Sequence, residues 1–211
     1  MLMRITWLGH SSVKIQTGSD TIYIDPYAGE NEWYTPATIV LISKFHFDHC
    51  NMEKVRKIST DETLRIGTKE TAKNLFPCSV LVPGQSILHG DVEIVGTKVI
   101  NPHSDVARHG VEEEGMGFVV IAEKKKVFFM GDSDYYPALG EIRPDVLFVS
   151  VGGTFTSEAK EAASIANAIG PKLAIPIHWG AMTGSKDSAE LFSELAKVSV
   201  RILDQGESVD V

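Results

Sequence analysis

Three stretches of this chain run apolar almost without a break: Thr38-Ile39-Val40-Leu41-Ile42, residues 146–151 and residues 173–177. Side chains alternate between the two faces of a strand, so such a run presents apolar groups to both sides. A sheet with one wet face cannot hold it; both faces need cover. The chain is therefore expected to place sheet against sheet, with helices outside.

The remaining pattern agrees. Residues 4–8 and 13–17 alternate apolar and polar, and a third short strand over 21–24 ends at Asp25-Pro26. Proline cannot donate to a ladder, so the opening reads as a meander of short antiparallel strands. Residues 52–58 fit a short helix. Thr68 is placed to cap a second one over 69–76, which Pro77 stops. Residues 86–100 read as strand with a turn at Gly90-Asp91, and 117–122 and 127–130 as two more strands. Residues 158–169 carry Ala159, Ala162, Ala163, Ile165, Ala166 and Ile169 on one helical face, ended by Gly170-Pro171. Asp187 and Glu190 read as a capping pair ahead of Phe192, and 200–203 as a last strand before a short tail. No repeat or low-complexity segment interrupts the 211 residues, and one domain over 1–211 is expected.

Chemistry gathers where apolar runs stop. His46, Asp48 and His49 follow the run ending at Ile42, and His103 follows the stretch ending at Ile100. Asp132 follows 127–130, and His178 follows 173–177. Imidazole and carboxylate are ordinary ligands of a divalent metal, and an ion is what would make such a set tolerable beside a core. If the strand ends share one edge, the ligands converge.

The ordered motifs Trp7-Leu8-Gly9-His10-Ser11, Ile24-Asp25-Pro26, Phe45-His46-Phe47-Asp48-His49, Pro102-His103, Met130-Gly131-Asp132-Ser133, Gly152-Gly153-Thr154-Phe155-Thr156 and Ile175-Pro176-Ile177-His178-Trp179-Gly180 span nearly the whole chain. Together they resemble the metallo-β-lactamase superfamily, whose signature is His-x-His-x-Asp-His. The set is most similar to the branch holding lactonase-like and N-acyl-phosphatidylethanolamine phospholipase-like hydrolases. The resemblance implies an α/β fold: an αββα sandwich of two mixed β-sheets flanked by helices, with a metal site at one sheet edge. It implies that His46 and His103 bind a first ion, that Asp48, His49 and His178 bind a second, and that Asp132 bridges them. The family's remaining first-site ligand falls where this chain has Lys44.

A protonated lysine has no lone pair to give. The expectation is one tightly held ion, zinc first, with manganese or iron also suited to the ligand set. The implied activity is metal-dependent hydrolysis of a small-molecule ester, lactone or phosphodiester. Asp48 would orient water or act as base. Lys44 could stabilise an oxyanion, bind an anionic group or, if neutral, act as base or ligand. Two readings stand beside this one: a binding protein of the same fold whose site Lys44 has damaged, and a nuclease. The net charge of -8 counts against nucleic acid as a partner.

Plainer roles are expected elsewhere. His10 reads as a hydrogen-bonded structural residue, Asp25 as a turn or supporting group, Cys50 as a small buried side chain, and His89 and His109 as solvated loop residues. Trp33, Tyr34 and Trp179 read as packing, and Gly152-Gly153-Thr154 as a tight turn or a backbone approach to ligand. Two cysteines outside any Cys-x-x-Cys pattern fit a reducing compartment. With no signal-peptide layout and no apolar run of about 20 residues, a cytoplasmic protein away from membranes is expected.

Overall fold

The computed structural model describes residues 2–102 and 115–211. Two sheets form the centre. The first holds β1 (Arg4–Gly9), β2 (Ser12–Gln16), β3 (Thr21–Ile24), β4 (Ile39–Ile42), β5 (Leu64–Gly67), β6 (Ser79–Val80) and β13 (Ser208–Asp210), in the order β13-β1-β2-β3-β4-β5-β6. The second holds β7 (Ser86–His89), β8 (Val92–Lys98), β9 (Met116–Ala122), β10 (Lys125–Phe129), β11 (Val146–Ser150) and β12 (Leu173–Ile177), in the order β12-β11-β10-β9-β8-β7. Both are mixed. The expected meander β1-β2-β3 is antiparallel, and β3, β4, β5 and β6 then run parallel.

Strand β4 shows why its sequence is apolar throughout. Ile39 and Leu41 enter the large core between the sheets, with Ile24, Phe118 and Val120. Val40 and Ile42 face the other way, into a second cluster with Val55 and Ile58 of helix α1 (Met52–Ile58). Helix α1 is capped by Asn51, whose side chain accepts from the Glu53 and Lys54 amides. Helix α2 (Lys69–Asn74) starts at the expected Thr68 cap. Helix α3 (Ala159–Ile169) packs its alanine face on β11 and ends at Gly170, which takes the left-handed conformation at φ 67. Helix α4 (Lys186–Leu195) packs on β12 and α3. Among the described residues no helix is long and apolar enough to cross a membrane.

Four local expectations are corrected. Helix α4 is capped by Ser185, with Ser188 closing the box, in place of Asp187 and Glu190. Residues 200–203 form no strand, and Val200 makes only an isolated bridge to Ala174. The supposed tail instead supplies β13, an edge strand paired antiparallel with β1. It is held there by Arg4 with Asp210 at 2.8 Å and by Thr6 with Ser208 at 2.8 Å. Three residues are too few for periodicity to reveal a strand; its partner lies some 200 positions away. His89 ends β7 half-buried, where a solvated loop was expected.

Strand direction puts the polar motifs at one end. Strand β1 is antiparallel to β2 and β2 to β3, so β1, β3 and β4 point the same way. Their ends carry His10, Asp25 and the 43–49 loop. In the other sheet β10, β11 and β12 run parallel, and their ends carry Asp132, the 151–156 loop and His178. The sheets are joined at this edge: the Met116 amide donates to the Ser43 carbonyl at 2.8 Å, and the His178 amide to the His10 carbonyl at 3.1 Å.

Candidate metal centre

His49, Asp132 and His178 converge. One ligand atom from each lies within 4.8 Å of the others, and all three residues are buried. His49 Nε2 is 3.3 Å from Asp132 Oδ2, and His178 Nε2 is 3.3 Å from Asp132 Oδ1. None of His49 Nε2, His178 Nε2 and Asp132 Oδ1 has a hydrogen-bond partner among the described residues. Each such atom costs about 1–3 kcal/mol when left buried and unsatisfied. Three of them facing one another are the arrangement a divalent cation would satisfy, so the donor set fits a metal.

The supports are built in. Asp25 is fully buried behind His49: its Oδ2 accepts from His49 Nδ1 at 2.7 Å and from the Ser43 hydroxyl at 2.5 Å. Its Oδ1 accepts from the Ser43 amide at 2.7 Å. This carboxylate fixes which ring nitrogen of His49 carries the proton and leaves Nε2 for the ion. Asp25 thus acts as the supporting group expected of it.

Asp48 stands beside the cluster, with Oδ2 3.7 Å from His49 Nε2 and 3.2 Å from His10 Nε2. His10 is buried, and its ring lies 4.0 Å from that of His178. The structural role expected of His10 is therefore a specific one: it holds Asp48 with its ring and His178 with its carbonyl. His46 does not join the buried three. Its side chain is 53% exposed, bonds Asp48 through Nδ1 and packs on Phe47. His103 and His109 lie outside the described residues.

Lys44 enters from the other side. Its Nζ donates to Asp132 Oδ2 at 2.6 Å, next to a cavity of about 10 Å³ lined by Ser43, Lys44, Val99, Gly115, Met116 and Asp132. That space is about one water at most. The ammonium thus contacts the carboxylate oxygen opposite the one nearest His178.

Burial and charge oppose each other throughout. Burial works against ionising Asp132, but His49, His178 and Lys44 outweigh it and hold its carboxyl well below the usual range. Burial likewise opposes the Asp48 charge, and the His10 hydrogen bond and the His49 charge bring its pKa down. His49 would lose its proton to burial, yet Asp132 and Asp25 raise its pKa to about 10. His178, with the same burial and less compensation, falls to about 3. The carboxylates of Asp132 and Asp25 thus favour positive charge at the His49 ring, which an ion held here would supply.

The expected packing residues behave as such. Trp179 stacks on Trp7 with ring centroids 4.7 Å apart, and Tyr34 stacks on Tyr23 at 5.2 Å. Cys50 is buried and its thiol is pushed up to about 12 by burial. Tyr27, Phe47 and Met182 contact one another next to His10 and His46. Sequence reading passed over them, although Phe47 sits inside the 46–49 cluster.

Residues 4–178 match the family described as the beta-lactamase superfamily domain. A UPF0173 metal-dependent hydrolase of Methanoregula boonei is 31% identical over 99% of this chain and 98% of its own length. Among solved structures, the metallo hydrolase of Ignicoccus hospitalis has a TM-score of 0.82 at 19% identity, covering 100% of this chain and 99% of that one. The metallo-beta-lactamase fold protein YhfI of Bacillus subtilis has a TM-score of 0.78 at 16% identity, covering 100% of both. These two likenesses concern the fold, and they agree with the expected sandwich of two mixed sheets.

Proposed function

The chain belongs to the beta-lactamase superfamily as a metal-dependent hydrolase, and on that premise we propose a small-molecule ester, lactone or phosphodiester as its substrate. The motifs from Trp7 to Gly180 favour the lactonase-like and phospholipase-like branch, which is where those bond types come from. The ion would be a single zinc, held by His49, His178 and Asp132 with Asp48 at its side. We place the protein in the cytoplasm, acting as one domain over 1–211.

The observation that carries the one-ion reading is the 2.6 Å contact of Lys44 with Asp132. An ammonium within hydrogen-bond distance of Asp132 supplies positive charge that a first ion would otherwise bring. The exposure of His46 supports the same view.

A divalent ion held here would supply a Lewis acid that activates water and polarises the scissile bond. The remaining work falls to the chain. Asp48, ionised and steadied by His10, would accept a hydrogen bond from the attacking water and orient it; its lowered pKa suits it to holding the water more than to keeping the proton. Lys44, fixed by Asp132, is placed to donate to the oxyanion that develops opposite. Asp25 keeps the His49 ring from turning.

Elemental analysis of protein purified without added metal is expected to give about one zinc per chain, with turnover of chromogenic esters or phosphodiesters. Lys44→His is expected to admit a second ion and to lower that turnover. Two ions in the unaltered protein would overturn the role given to Lys44. Turnover gained only on Lys44→His would mark the natural site as a damaged relic.

A further inference from the structure

Tyr27, Phe47 and Met182 come from three separated loops and meet at the rim of the metal centre. The Phe47 ring lies 6.4 Å from that of Tyr27, edge to face, and the Tyr27 hydroxyl donates to Met182 Sδ at 3.5 Å. Tyr27 also packs at 5.8 Å on His10, which touches both Asp48 and His178. Phe47 is flanked in sequence by His46 and Asp48 and packs at 4.6 Å on His46. The rim is thus continuous with the groups that would hold the ion.

Two features argue that packing is not its purpose. Phe47 is 60% exposed and Met182 is 58% exposed, where a packing role would bury them. Met182 is also a non-glycine residue in the left-handed region, at φ 63, lying between Gly180 and Gly184. That conformation costs energy in a non-glycine residue, and such costs cluster at ligand sites.

We propose that this wall is a subsite for an apolar alkyl or aryl group attached to the scissile bond. The proposal deepens the hydrolase reading above and rests on it. Aromatic edges and a thioether accept hydrocarbon without asking for fixed hydrogen bonds. Their ring contacts and the one hydrogen bond between them are with histidines and one another.

Two measurements test it together. For zinc-loaded protein, kcat/KM on p-nitrophenyl esters is expected to rise at least about tenfold from acetate to octanoate. Met182→Gly, which suits the left-handed φ, is expected to cut that ratio at least fivefold with an unchanged or raised Tm. Phe47→Ser is expected to cut it likewise. In metal-free protein, the methyl resonance of Met182 is expected to shift saturably with 1-hexanol and not with ethanol. A flat chain-length series, or a Met182 resonance that ignores hexanol, overturns the subsite. If no ester or phosphodiester is turned over, the hydrolase reading fails by itself, and the hexanol titration alone then decides the wall.

Discussion

Two regions of this protein bury charge, and they treat it in opposite ways. Around the loop of residues 29–35, two buried lysines are answered by the chain itself. Lys54 Nζ donates to the Gly29 carbonyl at 2.7 Å and to Asn31 Oδ1 at 3.1 Å, and sits 4.3 Å over the Tyr34 ring. Lys14 Nζ donates to the Trp33 carbonyl and to Thr35 Oγ1, each at 3.3 Å, 5.6 Å from the Tyr23 ring. At the candidate metal centre, by contrast, His49 Nε2, His178 Nε2 and Asp132 Oδ1 have no hydrogen-bond partner among the described residues. The first region uses oxygens and ring faces to close on a cation the sequence carries. The second arranges its donors around a cation the sequence lacks. The difference teaches that burial of charge alone does not mark a working site; unanswered lone pairs that face one another do.

The contrast can be broken most severely at Asp132. Asp132→Ala removes the group shared by His49, His178 and Lys44, and should abolish retention of the ion in elemental analysis. Retention at full stoichiometry would mean that the three buried residues are not the ligand set. A smaller loss is expected at Asp25, which touches the ion's ligand and not the ion. Asp25→Ala should weaken metal affinity about 10–100-fold in competition with a chelator. The lysine-strapped loop should respond in stability only. Lys54→Met should cost about 2 kcal/mol in denaturant unfolding, and Lys14→Met, with its longer bonds, about 1 kcal/mol. Neither should change the metal content. A change of metal content in Lys54→Met would show that the two regions are coupled.

Much of the site could be read in advance because its residue types and their places are local facts. His49, Asp132 and His178 each follow an apolar run, and strand ends are what such runs reveal. The two-faced demand of Ile39 to Ile42 also foretold the sandwich, since each face of β4 did find its own core. What escaped had no local signal. The edge strand β13 depends on a partner at the other end of the chain. Met182 and Tyr27, 155 positions apart, are ordinary loop residues until the chain between them is folded away.

The sequence by itself determined the chemistry of the candidate ligands, the order in which they appear and the lysine at position 44. Tertiary structure alone decided which of them meet. Strand direction delivers a residue to one edge or the other, and that direction is set by pairing between strands distant in sequence. Thus His49 and His178, 129 positions apart, bring their rings to 5.3 Å, while His46, three residues from His49, turns to solvent.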